Sequence, residues 1–116
     1  MKTNRRAAER LESMGLMTHL FDGRSAVLGV VEDVSPGGLR VSTIPAVFAE
    51  SVPTCYAVVN GAWQDFHLAL HPRWVVSAPR GMYKMIGFQI EQPSVEWTHF
   101  IETMGHEQAA GMGIAA

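Results

Sequence analysis

The stretch Glu32-Asp33-Val34-Ser35-Pro36-Gly37-Gly38-Leu39-Arg40-Val41 decides how the chain is read, because it joins two strand patterns through a forced reversal. Pro36 stands at the second position of a β-turn, where its fixed φ suits, and Gly37 at the third, where a type II turn needs φ > 0. Upstream, residues 26–31 are apolar and partly β-branched; downstream, Leu39-Arg40-Val41-Ser42-Thr43 alternates apolar and polar, so the turn is expected to link two strands. Asp33 and Ser35, two apart on a strand, then share a face and offer carboxylate and hydroxyl acceptors side by side. Such a pair can grip the donor edge of a base. Asp and Ser also commonly bond the turn's own backbone, and this stretch taken alone favours that role.

A second pattern lies upstream, in Arg5-Arg6-Ala7-Ala8-Glu9-Arg10. With Arg6-x-x-x-Arg10 followed by Asp33-x-Ser35-x-x-Gly38, the sequence resembles the PilZ domain family, bacterial receptors for cyclic di-GMP. Residues 86–90, Ile-Gly-Phe-Gln-Ile, resemble the family's last barrel strand, which a terminal helix follows. The resemblance implies a small antiparallel β-barrel of six to seven strands with a C-terminal helix. It implies a cyclic di-GMP site made by Arg6, Arg10, Asp33, Ser35 and Gly38, with Arg5 as an auxiliary contact. The arginines would form an arm that folds over the ligand, while Asp33 and Ser35 hold guanine from the barrel side.

The chemistry fits the pairing. Cyclic di-GMP carries two phosphodiester charges and two guanines, each guanine with O6 and N7 acceptors on one edge and an amino donor on another. A guanidinium can fork onto phosphate or guanine acceptors and can stack on a base; an ammonium cannot do both. Gly38 would let the backbone approach and turn.

Composition narrows the class. At 116 residues and 12.7 kDa the chain is expected to form one domain. With 47% hydrophobic and 17% charged residues, global disorder is not expected. The single Cys55 cannot form an internal disulfide and no charged-then-apolar leader is seen, so a cytoplasmic location is expected. No apolar run is long enough for a membrane-spanning helix, so no direct insertion is expected. The net charge of −2 argues against a general DNA or RNA binder. Its distribution is uneven: residues 1–10 carry Lys2, Arg5, Arg6 and Arg10 against Glu9, net +3, and the rest is −5. A basic arm on an acidic body suits capture of a small anion.

Along the chain, residues 1–13 read as a flexible arginine arm, because a helix capped by Asn4 would be too short to stand alone in water. Residues 14–104 read as the barrel with its terminal helix, and 105–116 as a tail. Strands are expected at 14–21, 25–32, 39–43, 55–59, 63–70, 73–78 and 83–90, with hairpin turns at Asp22-Gly23 and Asn60-Gly61. Residues 44–54 form a connection with Pro45 and Pro53 near its ends, and Pro72 is expected to end a strand. Ser94 reads as a helix N-cap, and Trp97, Phe100, Ile101 and Met104 form one apolar stripe that must bury against the barrel or against a second copy in a homodimer. Gly105 is expected to end that helix.

Other chemistry is sparse. His67 and His71 lack a third metal ligand at matching spacing. Cys55 has no basic partner nearby in sequence, and no phosphate loop or dinucleotide fingerprint is present, so neither an enzyme nor a metal or organic cofactor is expected. Trp63 and Trp74 could stack a guanine, but barrel aromatics are more often core, and they are assigned no site role. Two functions remain: a stand-alone receptor that signals to an unidentified effector protein, with outputs in motility, surface polysaccharide or biofilm as in the family; and an interaction adaptor that keeps the barrel but binds ligand poorly. Glu9 and Glu12, acids beside Arg10, keep the adaptor in view.

Overall fold

The computed structural model describes the backbone of residues 11–12 and 15–115 and the side chains of residues 15–105. Seven strands precede one helix: β1 (Leu11–Glu12), β2 (Met17–Phe21), β3 (Ala26–Ser35), β4 (Gly38–Pro45), β5 (Cys55–Asn60), β6 (Asp65–Ser77), β7 (Tyr83–Ile90) and α1 (Val95–Ala115). All pairings are antiparallel. The order β3-β2-β5-β6-β7-β4 closes on itself through β3–β4, giving a closed six-stranded barrel. β1 is an addition to it. It shares with β2 the same edge of β3, β2 covering Ala26 to Val30 and β1 pairing Leu11 with Val34 and Glu12 with Asp33.

Alternation along each strand sends one set of side chains inward. Leu20, Val31, Val34, Leu39, Val41, Val59, Leu70 and Ile86 meet inside the barrel at 1% exposure or less. Phe48, from the connection after β4, joins this core, and the Lys84 ammonium holds that connection by donating to the Phe48 carbonyl and to Glu50. Asp22 closes the β2–β3 hairpin: one carboxylate oxygen accepts from the Arg24 and Ser25 amides at 2.8 and 2.6 Å, the other from Ala49 at 2.7 Å.

The helix begins as its sequence predicts, with the Ser94 hydroxyl accepting from the Trp97 amide at 3.0 Å. Trp97 and Ile101 are buried, and Phe100 and Met104 pack at the rim. Trp97 meets Phe66 edge to face at a centroid distance of 5.5 Å. The apolar stripe therefore has its partner within this chain, against one end of the barrel.

Several expectations are corrected. The helix does not end at Gly105 but runs to Ala115, so the segment expected as a tail is helical. Gly105 is not among the residues with positive φ, as a left-handed cap would require, and a glycine inside a helix costs only about 1 kcal/mol relative to Ala. Residues 63–70 and 73–78 form one strand, β6, which passes through Pro72 because the register slips between Pro72 and Trp74. A bulge is where a strand tolerates a residue without an amide donor. The β5–β6 connection is a four-residue loop closed by Gly61 N–H to Gln64 C=O at 3.0 Å, not a two-residue turn at Asn60-Gly61. β2 starts at Met17 rather than at residue 14. Leu11 and Glu12, read as arm, form β1.

Candidate ligand-binding site

The site is built on a β-bulge. Val31 pairs with Val41 and Asp33 with Arg40, so β3 spends two residues where β4 spends one. Strict alternation would send residues 31, 33 and 35 to the same side. With the bulge, Val31 and Val34 both face the core, at 1% and 0% exposure, and Asp33 and Ser35 turn to the outer wall. The expected sharing of a face by Asp33 and Ser35 is what the register gives; that this face is the outside is decided by the bulge.

Each residue is held from several sides. Asp33, 8% exposed, meets Arg40 across the ladder, with Nη2 to Oδ2 at 2.7 Å. Ser35, also buried, donates from Oγ to the Gly38 carbonyl at 3.4 Å, and its own carbonyl accepts from the Trp97 indole at 3.3 Å. The helix therefore latches the turn that carries the motif. Gly38 is buried opposite Ser35, and the Gly37 carbonyl accepts from the Ile90 amide at 2.8 Å. Gly37 itself is not among the positive-φ residues, so the expected type II turn does not form. Of the sequence-predicted site residues, Asp33, Ser35 and Gly38 come together at this hairpin. Arg5, Arg6 and Arg10 lie outside the described residues.

The register extends the site across the wall. Asp33 faces Arg40, Arg40 faces Gly87, and Gly87 faces Trp74, a transverse row over four strands; the neighbouring row runs Ser35, Gly38, Gln89, His71. A groove of about 380 Å³ opens where the Gly87–Trp74 end of the first row meets the second, lined by Ser35, Gly38, Arg73, Trp74, Gly87 and Gln89 among others; Asp33 and Arg40 continue the first row outside its lining. At Gly87 an added Cβ would lie 2.1 Å from Trp74 Cε2, so the indole occupies the space that a side chain there would need. Trp74 is 45% exposed, so the indole offers surface to the groove. The wall thus combines a guanidinium, hydrogen-bonding groups and an aromatic plane, a set that can hold and stack a heterocyclic base.

Arg40, Trp74, Gly87 and Gln89 were missed in the sequence. Gly87 carried a signal, since an isolated glycine inside a strand marks a close approach. Trp74 has the chemistry to stack a base, but which residue faces it is set by strand pairing and not by the local sequence.

The remaining candidates are structural. Burial, reinforced by the charge of Asp22, pushes the Cys55 thiol up to about 12, which suits a core residue and not a nucleophile. Amides of Ser25, Ala49 and Arg24 hold the Asp22 carboxyl below its ordinary range. His71 is engaged by the Pro53 carbonyl at 2.9 Å and Glu91 at 3.1 Å, and among the described residues no group of three metal-ligating side chains forms. No helix among the described residues is long and apolar enough to cross a membrane.

The architecture is a closed six-stranded antiparallel barrel with a helix over one end and a polar, aromatic groove on its outer wall. The chain has the fold of PilZ domains. No protein-family model matches the sequence, and no curated protein matches it. Among solved structures it is similar to the PilZ domain of YcgR from Escherichia coli with c-di-GMP, at TM-score 0.65 and 16% identity over 91% of this chain and 98% of that one. It is also similar to the K. pneumonia MrkH-c-di-GMP complex, at TM-score 0.70 and 17% identity, covering 97% of this chain and 56% of that one. A third similar structure is the Bacillus subtilis inhibitor of motility MotI/DgrA, at TM-score 0.71 and 10% identity, covering 92% of this chain and 52% of that one. The chain thus spans about half the length of MotI and MrkH and nearly all of the isolated YcgR domain.

Proposed function

We propose that this protein is a receptor for cyclic di-GMP, which it binds on the outer barrel wall through Asp33, Ser35 and Gly38 together with Arg6 and Arg10, with Arg5 in an auxiliary role. The observation that carries the reading is the pairing of β1 with the motif strand: Leu11 faces Val34 between Asp33 and Ser35, and Arg10 is the residue covalently before Leu11. The chain thus joins the motif strand directly after the arginine half of the sequence signature, which supports a reading in which the two halves act together. The basic residues 1–10 would supply charge for the two phosphodiesters, while the wall supplies acceptors for guanine donors and an indole plane for stacking.

Its role is binding rather than catalysis. Signal output would come from ligand ordering the arm beside the groove, changing the shape and charge that an effector protein reads. Ligand-bound PilZ structures among the similar proteins support the ligand class.

Titration calorimetry with cyclic di-GMP, with GTP as control, tests the reading. Selective binding by the wild type is expected, together with loss of binding in Arg6→Ala and Arg10→Ala variants that melt at the wild-type temperature. Unchanged affinity in both variants would remove the arm from the site. No binding by the wild type at high ligand concentration would leave the adaptor function in its place.

A further inference from the structure

The Asp33–Arg40 ion pair lies inside the proposed site, yet Arg40 belongs to neither half of the signature. Asp33 is almost fully buried on the outer wall, and Arg40 stands directly opposite it in the β3–β4 register. Contact is made through one guanidinium nitrogen, Nη2, at 2.7 Å. Nε of the same group is buried and meets no acceptor among the described residues, while the side chain as a whole is 41% exposed. A guanidinium that leaves a buried N–H without a partner is not placed there by its own hydrogen-bonding needs. Its position is set by Asp33.

We infer that Arg40 is a positioning and specificity residue for guanine, acting through Asp33; the inference rests on the cyclic di-GMP reading above. Two physical effects follow from the pair. The first is orientation: a short, charge-assisted contact to Oδ2 fixes the plane of the carboxylate on the wall. A carboxylate accepts at about four lone-pair sites, and the single Nη2 contact takes one of them, so Arg40 orients Asp33 without itself closing it to guanine N–H donors. Adenine has no amino donor matching the guanine 2-amino group, so an oriented carboxylate favours guanine. The second is charge: the Asp33 carboxylate opposes a ligand that carries two phosphodiester charges, and the Arg40 guanidinium offsets that repulsion at the point of contact.

The test is a double-mutant cycle in ligand binding, with cyclic di-GMP and cyclic di-AMP titrated against the wild type, Arg40→Met, Arg40→Lys, Asp33→Asn and the double variant Asp33→Asn/Arg40→Met, each checked for folding by thermal melting. Arg40→Met is expected to weaken cyclic di-GMP roughly 10- to 100-fold, the span of losing a hydrogen bond to a charged group, and to weaken cyclic di-AMP less, so that selectivity shrinks. Arg40→Lys keeps the charge without the planar fork and should fall between. In the Asp33→Asn background the Arg40→Met change should add no more than about twofold, the scatter of independent sites. Arg40→Met binding cyclic di-GMP within that same factor of a binding wild type overturns the inference and leaves the receptor reading standing. An equal loss in both backgrounds also overturns it, since Arg40 would then act without Asp33. Should Arg40→Met not fold, Arg40→Lys with wild-type affinity and selectivity has the same force. A wild type that binds neither ligand fails the receptor reading itself, and this inference with it.

Discussion

Gly87 and Trp74 illustrate how much of the site rests on single residues. The indole occupies the space a side chain at position 87 would need, with 2.1 Å between Trp74 Cε2 and an added Cβ. Because Trp74 is about half exposed, it can move outward when displaced, so Gly87→Ala is expected to leave the fold in place and remove the stacking plane. Calorimetry on Gly87→Ala should show cyclic di-GMP binding weakened by roughly 1–3 kcal/mol, the range for one base on one aromatic. Wild-type affinity in that variant would exclude Trp74 as a platform. At this scale the sequence was legible where partners lie close together in the chain. Asp33, Ser35 and Gly38 sit in one turn and could be read as a unit, whereas Arg40, Gly87 and Trp74 are joined only by strand pairing.

Among the elements, α1 departs furthest from its local signals. Its start, cap and apolar stripe follow from Ser94, Trp97, Phe100, Ile101 and Met104, but its end does not follow from Gly105. Glycine is ambiguous near a helix end: it terminates when it takes a left-handed φ, and otherwise it is merely a weak helical residue. The distinction is measurable. Gly105→Ala is expected to raise stability by up to about 1 kcal/mol and to increase helical circular dichroism, as for any interior helical glycine. A glycine acting as a left-handed cap would give the opposite sign, because alanine is strained there. β6 makes a parallel point. Pro72 reads as a stop, yet the strand absorbs it beside a bulge: the β5 ladder ends at Leu70, and β7 alone carries the pairing on past the proline to Ser77.

For the whole molecule, closure of the barrel concentrates stability at the joints outside the apolar core. Asp22 is one of these: three amides donate to its carboxylate, tying the β2–β3 hairpin to the connection after β4. Its folded pKa lies below the ordinary 3.8, chiefly because of the Ser25 amide and then Ala49 and Arg24, and Glu50 is lowered likewise by its hydrogen bond to Lys84. A depressed carboxyl means that the unfolded chain binds more protons than the folded one as pH falls past the group's unfolded value, 3.8 for Asp22 and 4.5 for Glu50. The stability these groups contribute is therefore complete above those values and is lost progressively below them, through the folded pKa. Urea unfolding of wild type and Asp22→Asn at steps from about pH 5 to pH 2 should show the variant less stable at the upper end and flatter below about pH 4. Parallel profiles would mean that Asp22 carries no such linkage.

Local rules of the chain determined much of this protein before any pairing was known. Alternating apolar residues defined most of the strands, Pro36 and the glycines after it placed the reversal, Ser94 opened the helix, and the spacing of Arg6, Arg10, Asp33, Ser35 and Gly38 carried the resemblance to PilZ domains. All of these depend on residues within a turn or two of each other, or on spacing along the chain. Tertiary structure decided which way the motif faces. The bulge between Val31 and Asp33 arises because Val31 and Val34, an odd number of residues apart, both bury in one closed barrel, and strict alternation cannot satisfy both. Closure also brought Arg40, Gly87 and Trp74 into one row beside Asp33, and laid Trp97 against the Ser35 carbonyl. Those contacts come from packing between strands far apart in sequence, which no local propensity encodes.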